Sequence, residues 1–172
     1  MVLKLSELGT FGAVLRFSIR LESYVIKFYE DAALNKKCSE VKEVFLAFAR
    51  EDKRSKELLE RIRQEVVTDA VKTGFGFTGL KRSDYVIEMK LTPNMNYLDI
   101  LRLAMELEEK AYRFYLNSAS KASSLFPDVE RTFEKLAREK ADRKLKLKSL
   151  HEKATLKLLM DMVECLTLVH TS

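Results

Sequence analysis

Apolar residues recur every three or four positions along four stretches of the chain, which is the spacing of one face of an α-helix. The four predicted helices cover about 6–34, 39–67, 96–122 and 127–168. Asn94 or Asn96, in "PNMN", is placed to cap the start of the third helix. The turns "NKKCSE" and "SSLFPD" are short enough to join the helices pairwise into two antiparallel hairpins.

A connection of almost thirty residues, about 68–95, separates hairpin one (about 6–67) from hairpin two (about 96–168). It contains three of the five glycines and one of the two prolines. Connections of this length usually cross from one end of a domain to the other. The pattern therefore predicts an all-α, ferritin-like four-helix bundle with one long crossover, in a single domain of residues 1–172.

Within the crossover, "GFGFTG" has the spacing G-x-G-x-x-G of dinucleotide-binding loops. That fingerprint requires a strand before it and a helix that begins at it. Here a long helical pattern precedes the glycines, so we interpret them as turn residues.

The net charge of +5 does not indicate a nucleic-acid partner. Much of the basic excess lies in residues 138–153, where acidic residues are interspersed and aromatic residues are absent. Binding of single-stranded nucleic acid would need aromatic side chains for stacking. A solvated helix face explains this segment better.

Cys38 and Cys165 form no C-x-x-C pair and are interpreted as reduced thiols. Lys4 and Glu7 interrupt any signal-peptide core, and no stretch approaches the roughly 20 apolar residues of a membrane span. We therefore expect a cytoplasmic protein without a membrane partner.

The sequences of the two hairpins are similar to each other. Residues 15–29, "LRFSIRLESYVIKFY", align with residues 101–115, "LRLAMELEEKAYRFY". Residues 44–54, "VFLAFAREDKR", align with "TFEKLAREKADR" at 132–143. The sequence thus predicts an internal repeat of one helix pair.

Each copy places a glutamate seven residues before a tyrosine, Glu22 before Tyr29 and Glu108 before Tyr115. Seven residues are two helical turns, so each pair shares one face. With Glu51 and Glu139 on the other two helices, every helix carries one glutamate. One carboxylate on each helix of a bundle can hold two metal ions between the helices.

These motifs resemble the rubrerythrin-like branch of the ferritin superfamily over nearly the whole chain. The family pattern is a glutamate with a downstream tyrosine, then Glu-x-x-His, repeated twice. The resemblance implies two metal ions, iron in the family, and an oxidoreductase that acts with oxygen or peroxide. Glu22 and Glu51 would hold one ion, and Glu108 and Glu139 the other, with Tyr29 and Tyr115 beside the ligands.

Both histidine ligands of that pattern are replaced. Arg54 stands three residues after Glu51, and Asp142 followed by Arg143 stands after Glu139. With Asp142 as a further ligand the site would be all-oxygen, which also suits Mn(II), Mg(II) or Ca(II). The rubredoxin-type Cys-x-x-Cys domain is absent, so an electron donor for a redox reaction would act in trans.

The sequence leaves two functions open. One is a di-metal protein with an altered site. The other is a metal-free, non-catalytic scaffold or partner-binding dimer, in which Arg54 and Arg143 form salt bridges with the glutamates. Glu51 and Glu139 could also lie in water at the rim of the bundle. A homodimer is expected, and no constellation favours acyl-transfer chemistry.

Overall fold

A computed structural model describes residues 8–66, 77–86, 90–122 and 126–169. Within these ranges the chain forms four α-helices and two short 3-10 helices, which confirms the predicted all-α four-helix bundle. The α-helices are α1 (Phe11–Leu34), α2 (Lys42–Val66), α3 (Tyr97–Ala122) and α4 (Pro127–Val169). The 3-10 helices are Lys36–Val41, between α1 and α2, and Arg82–Asp84, in the crossover.

Side-chain caps fix the starts of α1 and α3. The Thr10 hydroxyl accepts the Ala13 N–H at 3.1 Å, so α1 begins at Phe11, later than the predicted residue 6. At α3, Asp99 N–H donates to Asn96 Oδ1 and Asn96 N–H donates to Asp99 Oδ2. This reciprocal pair is a capping box, and it makes Asn96 the cap of the two asparagines that the sequence offered.

The helices pack as two hairpins, α1 along α2 and α3 along α4. Between the hairpins, the backbones come together mainly at α1 and α3. A cleft between α2 and α4 therefore remains open to solvent.

The described parts of the crossover pack against the bundle. Phe77, Leu80 and Tyr85 are buried, and Leu8 N–H donates to the Leu80 carbonyl at 2.8 Å. Gly79 has a φ of +90°, a conformation that favours glycine, which agrees with interpreting "GFGFTG" as turn chemistry. The two earlier glycines of that motif lie outside the described residues.

The end of the crossover is tied to the α1–α2 turn, because Lys37 Nζ donates to the carbonyls of Pro93 and Met95. The start of α3 and the α1–α2 turn thus lie at the same end of the bundle. The C-terminal part of α4 reaches that end as well, where Lys157 Nζ lies 3.7 Å from Glu40 Oε1.

α4 is 43 residues long, whereas α1, α2 and α3 have 24, 25 and 26 residues. Its last turns therefore extend past the bundle, and residues 156–166 are exposed throughout. We call this segment the α4 overhang. No helix among the described residues is long and apolar enough to cross a membrane.

Candidate functional site

Each helix contributes at least one charged side chain to the centre of the bundle. They are Glu22 on α1, Asp52 on α2, Glu108 on α3 and Lys140 on α4, and all are at most 1% exposed. Arg143, one turn further along α4, is 4% exposed. A buried charge is costly unless it is paired, so the contacts among these five groups decide what the centre can do.

Lys140 lies between the carboxylates of the other hairpin. Its Nζ is 2.6 Å from Asp52 Oδ1 and 3.0 Å from Glu22 Oε2, and it donates a hydrogen bond to each. The ammonium group thus joins α4 to both helices of hairpin one. Charge-assisted hydrogen bonds of this kind are stronger than neutral ones.

Arg143 connects the buried centre with the rim of the cleft. Its NH1 donates to Asp52 Oδ1 at 2.6 Å and lies 3.8 Å from Glu108 Oε1. Its Nε donates to Glu51 Oε2 at 3.1 Å, and NH2 lies 3.0 Å from the same oxygen. The guanidinium carbon stands 5.1 Å from the centre of the Phe48 ring, which adds a cation–π contact.

The two tyrosines bond to carboxylates of the opposite hairpin. Tyr29 OH donates to Glu108 Oε1, and Tyr115 OH donates to Glu22 Oε1, both at 2.5 Å. Each phenol ring is also fully buried against a phenylalanine, Phe45 for Tyr29 and Phe133 for Tyr115. These two hydrogen bonds connect the hairpins at the level of the charged side chains.

Three buried carboxyl groups and two buried cations leave one excess negative charge, which one proton can neutralise. Burial raises the pKa of Glu22 to about 8, even though Lys140 opposes the shift. Burial likewise raises the pKa of Glu108, and Lys140 and Arg143 only partly offset it. Burial also disfavours ionised Asp52, but Lys140 and Arg143 outweigh it and lower the pKa. These pKa shifts favour a proton on one of the two glutamates over a proton on Asp52.

Both cations remain charged. Burial disfavours the ammonium of Lys140, but Asp52 and Glu22 outweigh that penalty and raise its pKa. The same balance, with Asp52 and Glu108 as the partners, raises the pKa of Arg143. We refer to Glu22, Asp52, Glu108, Lys140 and Arg143 as the inner cluster.

The structure brings together five of the residues that the sequence singled out and leaves four outside. Those in the centre are Glu22, Glu108, Arg143, Tyr29 and Tyr115. Those outside it are Glu51, Glu139, Asp142 and Arg54. Arg143 thus points into the centre and Arg54 does not.

The four outside residues line the α2–α4 cleft, whose volume is about 620 Å³. The Glu51 side chain is 51% exposed, and Glu139 lies 3.8 Å from the exposed Lys135. These positions agree with the alternative, drawn from the sequence, in which Glu51 and Glu139 lie in water at the rim of the bundle. Among the described residues, no group of three or more His, Cys, Asp or Glu side chains is arranged to hold a metal ion.

Asp52 and Lys140 are the central residues that sequence reasoning missed, although a signal for them exists. Buried residues follow a 3-4-3-4 spacing on both helices: Phe45, Phe48, Asp52, Ser55 and Leu59 on α2, and Phe133, Leu136, Lys140, Arg143 and Leu147 on α4. Residues in such a row share one face. The inward row is therefore shifted by one residue from the row that contains Glu51 and Glu139.

The i, i+3 spacing of Glu-x-x-His falls on this inward row as Asp52-x-x-Ser55 and Lys140-x-x-Arg143. Hairpin one keeps a carboxylate with a serine, and hairpin two has two cations at the equivalent positions. No imidazole is available there, and Lys140 and Arg143 would repel a metal ion placed between the carboxylates. The residues of the centre therefore do not fit a di-metal site.

Residues 99–164, which include most of α3 and α4, match the family model described as Rubrerythrin. That family is one of ferritin-like di-metal proteins, typically iron-binding. No curated protein and no solved structure is significantly similar to the chain. The match covers hairpin two, less than half of the chain, and the all-helical bundle is consistent with the ferritin-like fold of that family.

Proposed function

We propose that this chain is a metal-independent ferritin-like bundle whose centre is a structural ion-pair cluster, and that it acts through its surface as a scaffold or partner-binding protein. The observation that carries the proposal is the position of Lys140 Nζ, 2.6 Å from Asp52 Oδ1 and 3.0 Å from Glu22 Oε2. An ammonium group thereby supplies the positive charge that a metal ion supplies in a di-metal bundle.

Electrostatics supports this assignment. Two divalent ions would add four positive charges to a centre where Lys140 and Arg143 already leave only one negative charge uncompensated. Binding of metal would require both cations to leave buried positions in which their pKa values are raised, not lowered. Separating these ion pairs would leave uncompensated buried charge and would cost several kcal/mol. Oxygen or peroxide chemistry, with an electron donor in trans, has no support from such a centre.

The direct test is the metal content of the full chain, purified without chelator and incubated anaerobically with Fe(II), Mn(II) and Zn(II) in turn. We expect elemental mass spectrometry to find no stoichiometric metal in any of the three samples. About two ions per chain, lost in the Glu22→Gln and Glu108→Gln variants, would instead establish the di-metal function of the family.

A gain-of-binding variant tests whether the cations and the missing histidines of the inward row are what prevent metal binding. Ser55→His, Lys140→Glu and Arg143→His together restore one carboxylate and one imidazole on each of α2 and α4, facing Glu22 and Glu108. We expect this variant to bind about two Fe(II) or Zn(II) ions per chain.

The matched control places histidines on the outer row, as Arg54→His with Asp142→His. This variant should bind no metal in the centre, because both side chains lie in the cleft. Stoichiometric binding by the control but not by the triple variant would show that the outer row faces the centre and would contradict the proposal.

A further inference from the structure

The α2–α4 cleft is lined by more cations than acids. Among the described side chains that line it, five are basic and three are acidic, which leaves an excess of two positive charges. The basic residues are Arg54, Arg61, Lys135, Arg143 and Lys146, and the acidic residues are Glu51, Glu139 and Asp142. A concave surface with one predominant charge raises the local concentration of ligands of the opposite sign. The cleft therefore favours an anion over a cation.

Two of the five cations are matched within the cleft, and three are not. Arg143 pairs with Glu51, and Lys135 lies 3.8 Å from Glu139. The other three form no ion pair with another residue that the structure describes; they are Arg54, Arg61 and Lys146. All three are exposed, so their side chains are free to turn towards a bound anion. Surface cations alone are common on solvated helices, so the case for a binding site depends on the inner wall of the cleft.

Arg143 supplies that inner wall with a donor held in a fixed position. The side chain is 4% exposed, and it is held by hydrogen bonds from NH1 to Asp52 and from Nε to Glu51. Its NH2 nitrogen has no hydrogen-bond partner among the described residues, although Glu51 Oε2 lies 3.0 Å away. A buried donor without a partner is costly and calls for an explanation. Because Glu51 is 51% exposed, an entering anion can displace its carboxylate and accept from NH2.

The cleft also has an apolar part, at a distance from Arg143. The two helices run in opposite directions here, because Glu51 lies beside Arg143 whereas Phe48 lies beside Lys146, 5.5 Å from ring centre to Nζ. Leu58 and Leu136 therefore line the other half of the cleft. Its volume of about 620 Å³ falls within the range of about 300–1,000 Å³ for small-molecule sites, which combine apolar walls with a few polar groups. The cleft thus suits an anion that carries an apolar group.

We infer that the α2–α4 cleft binds a small organic phosphate, with the phosphate at the end that holds Arg143 and Lys146 and the apolar group along Leu58 and Leu136. A phosphate monoester carries about −1.5 to −2 charges at pH 7, which matches the excess of two positive charges. The forked donors of arginine fit phosphate oxygens better than a lysine alone would. A small-molecule ligand goes beyond the proposed scaffold function, and it does not depend on whether the centre of the bundle binds metal.

Isothermal titration calorimetry of the full chain at pH 7.5, with 1-naphthyl phosphate and with inorganic phosphate, tests the inference. We expect one 1-naphthyl phosphate per chain, bound at least about tenfold more tightly than inorganic phosphate because the ring buries apolar surface. The variant Arg54→Ala with Lys146→Ala should weaken binding at least about tenfold, since it removes two charge-assisted partners. Glu51→Gln removes the competing carboxylate and should tighten binding by about two- to fivefold. All three side chains are exposed, so circular dichroism of the variants should remain that of an intact bundle.

Arg50→Ala with Arg138→Ala is the matched control, because both arginines are exposed on the same two helices but do not line the cleft. This variant has the same net charge as the test variant and should bind like the unmodified chain. No saturable binding of 1-naphthyl phosphate up to about 5 mM would overturn the inference, as would equal weakening in the control. Binding to phosphatidylcholine–phosphatidic acid vesicles without binding of the free ester would overturn it in favour of a lipid headgroup. Metal content is measured separately, so this inference and the proposed function can fail independently.

Discussion

The inner cluster and the α2–α4 cleft contain the same kinds of residue, one position apart along α2 and α4. Asp52 and Lys140 are fully buried and bonded to each other, whereas their neighbours Glu51 and Glu139 lie in the cleft. One residue is 100° around a helix, enough to move a side chain from core to solvent. In the inner cluster, each charge must be stabilised by another protein group. In the cleft, water solvates the charges and provides most of that stabilisation.

The buried centre and the open cleft suit different roles in this protein. The inner cluster is buried except where Arg143 reaches the cleft, and its ion pairs and the two tyrosine hydrogen bonds join the hairpins. The cleft and the α4 overhang, in contrast, are open to other molecules. The following substitutions compare inner and outer positions directly.

Lys140→Met should have the largest effect on stability. It removes the ammonium between Asp52 and Glu22 and leaves buried carboxylates without their main counterion, at a cost of about 3–5 kcal/mol in the free energy of unfolding. Lys135→Met, on the same helix but 65% exposed, should change it by less than about 0.5 kcal/mol. Urea unfolding of both variants measures the difference, and equal effects would contradict the assignment of Lys140 to the centre.

The free energy of unfolding should fall as the pH rises from about 5 to 8. Because the pKa of Glu22 is about 8 in the folded protein and near 4.5 when unfolded, the folded state retains a proton that the unfolded state has lost. Stability therefore decreases through this window, by a few kcal/mol at most. Asp52 acts in the opposite sense, since its lowered pKa makes a contribution that is lost only in more acidic solution.

Glu22→Gln resembles the protonated side chain and should flatten this pH dependence, so that the variant is at least as stable as the unmodified chain at pH 8. Asp142→Asn, in the cleft, should leave the slope unchanged. The measurement is urea unfolding at several pH values. An identical slope in the unmodified chain and in Glu22→Gln would show that Glu22 does not hold the proton.

Glu51→Gln and Glu139→Gln should have the smallest effects. Glu51 pairs with the buried Arg143 but is half exposed, so we expect its loss to cost about 0.5–1 kcal/mol. Glu139 lies 3.8 Å from the exposed Lys135, and its substitution should cost less than about 0.5 kcal/mol. Thermal unfolding of both variants ranks them, and a loss of several kcal/mol at Glu139 would place that residue in the core instead.

The fold was predictable because its signals are local. Helical spacing, the cap at Asn96 and the short turns each depend on a few neighbouring residues, and the four helices follow from them. The boundaries are less certain: α2 begins at Lys42, not near 39, because residues Lys36–Val41 form a 3-10 turn. The glutamates on α1 and α3 were also predictable, since each lies among apolar residues.

The site on α2 and α4 was harder to predict, for a physical reason. Both "AREDKR" and "AREKADR" are charged along their whole length, so composition does not distinguish the inward residue from its neighbours. Only the rows through Phe45 and Leu59, and through Phe133 and Leu147, select Asp52 and Lys140. The pairing of Lys140 with two carboxylates 88 and 118 positions away in sequence depends on how the two hairpins dock.

The sequence by itself determined the helices, their hairpin pairing, the repeat-like placement of Glu22 with Tyr29 and Glu108 with Tyr115, and the replacement of both histidines. Those properties depend on spacing along one helix or on residue type. The tertiary structure alone decided that Lys140 and Arg143 occupy the centre, that Glu51 and Glu139 face the cleft, and that α4 extends past its partners with its last turns exposed. Burial is a property of the assembled bundle, because only the packing of four helices decides which charges lose contact with water.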